Sequence, residues 1–188
     1  MTKKVAVVLA NGFEEIEGLT QVDVLRRAGF QCDMVGLDAM EVTGSHGIQV
    51  TCDKVLADDL LEYDLVTFPG GLPGSTNLRD SDKLMNLMQQ RAKKRRWNAA
   101  MCAAPMVLAR YGLLAGHEYT MFPGMNEEHG DPKGNFKEDM VVVDKEAKII
   151  TSRGPATALP YSFALAEALG ANVDDLKESM LYNFLMEQ

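Results

Sequence analysis

The chain has 188 residues, a hydrophobic content of 46% and a formal net charge of −8 at pH 7. This length predicts one domain, residues 1–188, and the acidic balance argues against nucleic-acid partners and against anionic membrane surfaces. The three cysteines are scattered and none lies at ligand spacing from a histidine, so we expect a cytoplasmic protein without a metal site.

The first half of the chain alternates buried-type strands with helix patterns. Residues 5–10 form a continuous apolar run, which is typical of a strand buried on both faces and is too short for a signal peptide. A helix pattern follows over residues 11–29, acidic at its start and basic at its end. Residues 30–37 predict a second strand and residues 40–53 a hairpin. Residues 63–71 predict a third strand that ends in a Pro-Gly-Gly loop.

The second half continues this alternation. Ser81 is placed to cap a helix that runs to about Lys94. The elements that follow are a strand at 97–101, a helix at 104–112, a strand at 118–122, a hairpin at 139–152, and helices at 158–170 and 173–186. The pattern predicts an α/β fold with a mainly parallel sheet covered by helices on both faces.

In such folds, functional residues lie beyond the carboxyl ends of the strands. Four stretches of this sequence follow strand ends in that way. We therefore expect residues 11–17, 69–74, 102–105 and 152–155 to meet at one edge of the sheet.

Cys102 is the candidate nucleophile, because it stands between a strand end and a helix start. Free backbone N–H groups and the helix dipole at such a turn stabilise a thiolate and predict a lowered thiol pKa. Cys32 and Cys52 have the ordinary role of small buried hydrophobes. On the residues alone, that structural role stays open for Cys102 as well.

The motif "EEIE" offers acidic partners for this thiol. Glu14 is interpreted as an acid that complements the helix dipole. A desolvated Glu15 or Glu17 would have a raised pKa and could act as a general acid/base, and the pattern alone does not choose between them. The Gly70–Gly71 backbone is either an oxyanion donor or a plain turn.

Five motifs together resemble the ThiJ/PfpI superfamily, in the branch of the human parkinsonism-associated protein deglycase and its bacterial relatives. They are "EEIE" (14–17), "VDVLRRAG" (22–29), "YDLVTFPGG" (63–71), "AAMCAAP" (99–105) and "TSRGP" (151–155). The resemblance implies a flavodoxin-like three-layer sandwich, a homodimer and no cofactor.

The resemblance also assigns roles residue by residue. Cys102 falls on the reactive cysteine and Glu17 on the glutamate that hydrogen-bonds it. Gly71 and Ala103 fall on the backbone amides that hold an oxyanion, and Gly70 stays a further candidate donor from the Pro-Gly-Gly loop.

Further residues would form the edge of the site. Glu15, Arg153 and Pro155 belong to its motifs, and Arg27 would reach the site of a second copy. Two departures accompany the resemblance: Phe122 stands where many members have histidine, and His46 where the human branch has arginine.

Three functions are compatible with the resemblance. In the first, the chain is an enzyme that converts methylglyoxal or glyoxal to hydroxy acids, or acts on glycated amines and thiols, through Cys102 and Glu17. In the alternative, Cys102 is oxidised to a sulfinate in a redox sensor or chaperone without turnover. A protease ranks last, because Ala103 occupies the position of the histidine base.

Overall fold

A computed structural model describes residues 2–188. The strands are β1 (Lys4–Leu9), β2 (Gln31–Gly36), β3 (Glu41–Thr43), β4 (Gln49–Thr51), β5 (Lys54–Val55), β6 (Leu65–Phe68), β7 (Trp97–Met101), β8 (Glu118–Tyr119), β9 (Asn135–Phe136), β10 (Val141–Asp144) and β11 (Ile149–Ser152). The helices are α1 (Glu15–Arg27), α2 (Gly74–Arg79), α3 (Asp82–Lys93), α4 (Pro105–Arg110), α5 (Asn126–His129), α6 (Ala158–Ala168), α7 (Asp174–Ser179) and α8 (Tyr182–Met186). Short 3₁₀ helices cover Asp58–Glu62 and Pro155–Thr157.

The central sheet has the strand order β10-β11-β7-β6-β1-β2-β5. Neighbouring strands are parallel except for β10 and β11, which form the antiparallel hairpin expected at residues 139–152. The inner strands β1, β6 and β7 are almost wholly buried, in keeping with their continuous apolar sequences. The predicted mainly parallel α/β sheet is therefore confirmed.

Helices cover both faces of this sheet. Alternate residues of β1 enter different cores: Ala6 and Val8 pack with α3 and α4, whereas Val5 and Val7 pack with α1 and α6. The result is the three-layer, flavodoxin-like arrangement expected from the sequence. Within residues 2–188, every helix is too short or too polar to cross a bilayer.

Some elements differ from the sequence prediction. The single helix expected at 173–186 is wrong: Leu181 has a left-handed backbone, with φ of 57°, and separates α7 from α8. The strand expected at 118–122 is only two residues long, and it pairs with β9 outside the central sheet. Helix α1 begins at Glu15 because Gly12, with φ of 86°, turns the chain first. Ser81 caps α3 as expected, by accepting the Leu84 N–H.

A buried arginine of α3 forms hydrogen bonds to β7 and to the segment before β6. The guanidinium of Arg91 is inaccessible to solvent and donates to the carbonyl oxygens of Leu60, Tyr63 and Trp97 and to Asn98 Oδ1, at 2.7–3.1 Å. Burial lowers the pKa of Arg91 to about 9. No carboxylate of residues 2–188 forms an ion pair with this cation, so its charge is balanced by carbonyl dipoles.

Candidate active site

Cys102 occupies a strained turn between β7 and α4. Its φ of 59° lies in the left-handed region, which costs a non-glycine residue about 1–2 kcal/mol. The turn is held from both sides: the Cys102 N–H donates to the Ser152 carbonyl at 3.0 Å, and the Phe122 N–H donates to the Cys102 carbonyl at 2.8 Å. The side chain is left at the carboxyl edge of the sheet, with 8% of the residue exposed.

Glu17 lies in the first turn of α1 and is completely buried against this thiol. Its Oε2 accepts the Gly70 N–H at 2.6 Å. Its Oε1 is buried and has no hydrogen-bond partner among residues 2–188. The carboxyl group as a whole lies beside the Cys102 side chain, which influences its ionisation. Burial raises the pKa of Glu17 to about 7, although the contacts with Cys102 and Gly70 act in the opposite direction.

The expected lowering of the Cys102 pKa is wrong for the state in which Glu17 is ionised. Burial raises the pKa of the thiol, and so does the Glu17 carboxylate, whereas the amides of Ala103 and Gly71 lower it. Thiolate formation is therefore favoured when the proton of the pair resides on Glu17. Cys32 and Cys52 lie in the core as expected, and burial raises their pKa values to about 12 and about 11.

Two of the three expected backbone donors lie beside the thiol. The amides of Ala103 and Gly71 act to lower the pKa of Cys102. The expectation for Gly70 needs correction, because its N–H is already engaged by Glu17. Gly70 therefore orients the acid, and a role for Ala103 and Gly71 as donors to an oxyanion stays a prediction.

The site has no room for a side chain at position 70. A Cβ added to Gly70 would lie 2.6 Å from Cys102 Cβ, 2.8 Å from Glu17 Oε2 and 2.9 Å from Ala103 N. We expect Gly70→Ala to slow alkylation of Cys102 by about 10²-fold, the cost of displacing reacting groups by about 1 Å. Thiol alkylation followed by mass spectrometry measures this. Gly154→Ala is the control, since its Cβ would meet only the Phe122 ring at 3.7 Å; equal rates in both variants would contradict the prediction.

Glu15 is turned away from the thiol and binds the hairpin between β3 and β4. Its carboxylate accepts the N–H groups of His46 and Ile48 at 2.7 and 3.3 Å and lies 2.9 Å from His46 Nδ1. Although burial acts to raise it, these hydrogen bonds lower the pKa of Glu15 to about 2. Of the two acids that the sequence leaves open, Glu17 alone faces Cys102.

The other expected edge residues are more dispersed. Phe122 reaches Cys102 through its backbone, and its residue surface is 43% exposed. Arg153 donates to the Glu138 carbonyl at 2.8 Å, and Pro155 begins a 3₁₀ helix. Arg27 pairs with Asp23 and lies ten residues after Glu17, about 15 Å along α1. Its contribution to the site of a second copy stays a prediction.

A buried polar network next to the site was not found from the sequence. Thr67 Oγ1 donates to Gln21 Oε1 at 2.6 Å and lies 2.8 Å from the Tyr161 hydroxyl. Gln21 Nε2 donates in turn to the Glu17 carbonyl at 3.0 Å. The sequence feature that could have indicated this network is Gln21, a polar residue one helical turn after Glu17 on the same face of α1.

The chain matches a known protein family. The model of the DJ-1/PfpI family matches residues 3–168. The chain belongs to the DJ-1/PfpI family. It is 37% identical to protein dj-1beta of Drosophila melanogaster over 90% of each chain. The crystal structure of Drosophila DJ-1beta has a TM-score of 0.90 to this chain, at 35% identity and with coverage of 96% and 98%.

Members of the DJ-1/PfpI family include a relative named for cysteine-dependent chemistry. YraA of Bacillus subtilis, which is named as a candidate cysteine protease, is 32% identical over 82% of this chain and 91% of its own. The superfamily resemblance drawn from the five motifs is thus confirmed.

Proposed function

We propose that this chain is a cofactor-independent enzyme that acts on reactive carbonyl compounds, with Cys102 as nucleophile and Glu17 as general acid/base. The observation that carries this proposal is the fully buried Glu17 carboxyl, which lies beside the Cys102 thiol. A carboxyl group with a pKa of about 7 can both give and take a proton near neutral pH.

The first step is attack of the Cys102 thiolate on the aldehyde carbon of methylglyoxal. An S–C bond forms, the carbonyl π electrons move to oxygen, and protonation by Glu17 gives a hemithioacetal. The Ala103 and Gly71 amides are placed to stabilise negative charge during this addition.

Proton transfer between adjacent carbons completes the rearrangement. The Glu17 carboxylate removes the hydrogen from the former aldehyde carbon, and the resulting enediolate takes that proton back at the neighbouring carbon. The hydroxyl proton of the hemithioacetal moves to the neighbouring oxygen, and the product is a thioester of lactate with Cys102. Water then cleaves the S–C bond, releases lactate and restores the thiol, so methylglyoxal and one water are converted to lactate without net oxidation.

Lactate formation from methylglyoxal by the purified protein tests this proposal. We expect Cys102→Ser to reduce the rate to that of buffer, while Cys52→Ala, which changes a buried thiol outside the site, retains turnover. Circular dichroism of each variant checks the fold. Turnover that survives in a folded Cys102→Ser protein would refute the assignment of the nucleophile.

Glycated amines and thiols are the second substrate class of the proposal. If the chain acts on the adduct itself, amine release from a methylglyoxal hemiaminal should exceed the spontaneous rate of aldehyde release. If amine release never exceeds that rate, the substrate is the free aldehyde.

A further inference from the structure

A group of metal-ligand side chains lies where the start of α1 meets the turn between β3 and β4. Glu14 and Glu15 come from the helix side, and Ser45 and His46 come from the turn. One donor atom from each of Glu14, Glu15 and His46 lies within 4.8 Å of the others. The two elements are about thirty positions apart in sequence, so only the fold brings the imidazole to the carboxylates.

The donor atoms lie close to the spacing of a tetrahedral ligand set. His46 Nδ1 lies 2.9 Å from Glu15 Oε2 and 3.6 Å from Glu14 Oε2. Ser45 Oγ lies 3.3 Å from each of those carboxylate oxygens and 3.1 Å from His46 Nδ1. Ligands bound to tetrahedral Zn²⁺ at about 2.0–2.2 Å are separated by about 3.3–3.6 Å. The two ligand separations from His46 Nδ1, 2.9 and 3.6 Å, lie on either side of the lower end of this range, so small side-chain shifts would accommodate the ion.

We propose that Glu14, Glu15 and His46 bind a Zn²⁺ ion, with the fourth corner, now at Ser45 Oγ, taken by water. Two carboxylates balance the charge of the ion, and the imidazole favours zinc over calcium or magnesium. Binding of the ion would displace the protons that now form hydrogen bonds from Ser45 and His46 to the carboxylates.

The protein backbone is shaped around one of these ligands. A Cβ added to Gly44 would lie 2.3 Å from the Glu15 carboxyl carbon and from its Oε1. The hairpin therefore passes directly over this carboxylate, whose Oε1 is fixed by the His46 and Ile48 N–H groups. The remaining oxygen, Oε2, is the one that faces His46. On the opposite side, the His46 side chain is 69% exposed, which gives an ion access from solvent.

Calorimetric titration of tag-free protein with ZnCl₂ tests the proposal. All variants carry Cys102→Ala, so the reactive thiol cannot bind the metal and the outcome is independent of the proposed catalysis. We expect one ion per chain, and we expect His46→Asn and Glu14→Gln each to weaken binding at least about tenfold. His117→Asn is the matched control, because that imidazole pairs with Asp144 elsewhere on the surface; it should bind zinc as the background does.

A second measurement does not depend on any ligand variant. The chain has three histidines, so their imidazole protons can be followed individually by NMR during zinc addition. We expect saturable shifts at His46 and none at His117 or His129. Absence of binding, equal affinity in all variants, or shifts centred on another histidine would each overturn the proposal.

Discussion

Glu17→Gln is expected to lower kcat on methylglyoxal by about 10²–10⁴-fold, the contribution of a positioned general acid/base. The amide keeps the size of the carboxyl group and can still donate a hydrogen bond to the sulfur. It cannot accept the carbon-bound proton that must move during the rearrangement. Alkylation of Cys102 should persist in this variant, which separates loss of the acid/base from loss of the nucleophile.

The pH dependence of wild-type kcat/KM should reflect the ionisation of Glu17. Well below pH 7 the Cys102–Glu17 pair holds two protons, because burial raises the pKa of Glu17 to about 7. The pair then offers neither a thiolate nor a carboxylate base. As the pH rises through about 7, the first proton leaves and the rate should increase. This increase in rate near pH 7 should be absent in Glu17→Gln.

Steady-state kinetics between about pH 5 and pH 9 would measure both effects. Asp23→Asn provides a control on the same helix, since Asp23 is exposed and pairs only with Arg27 among residues 2–188. Its rate and its pH profile should match those of the wild type. A Glu17→Gln protein with unchanged kcat would show that another group moves the proton.

Arg91→Met is expected to destabilise the fold by about 3 kcal/mol or more, because it removes the donor from three buried acceptors and one partly buried acceptor. For a chain of this length, that loss corresponds to a fall in Tm of about 6–12 °C. Methionine fills much of the volume of the arginine stem, so the effect isolates the lost hydrogen bonds. Differential scanning calorimetry provides the measurement.

The matched control for this prediction is Arg110→Met, which changes an exposed arginine at the end of α4. Its Tm should stay close to that of the wild type, as is usual for surface substitutions. If the two variants melted at the same temperature, the carbonyl contacts of Arg91 would contribute nothing net to stability.

The sequence predicts those parts of the molecule that depend on local patterns. The apolar run of β1 identifies a doubly buried strand, and the position of Cys102 after β7 identifies a turn at the carboxyl edge. The break at Leu181 could not be predicted, because the residues on both sides of it favour helix and the left-handed conformation has no glycine to mark it.

Long-range contacts explain the rest of what the sequence does not reveal. Glu15 and Glu17 are both acids at the start of one helix, yet one meets the hairpin and the other meets the thiol. That difference depends on which elements pack beside α1, which residue spacing does not encode. The resemblance to known proteins, rather than local physics, selected Glu17.

The backbone conformation of Cys102 bears on how this position can change over time. A glycine there would relieve the left-handed strain of about 1–2 kcal/mol and would make the turn easier to form. Replacing Cys102 by glycine would therefore remove the thiol and stabilise the turn at the same time.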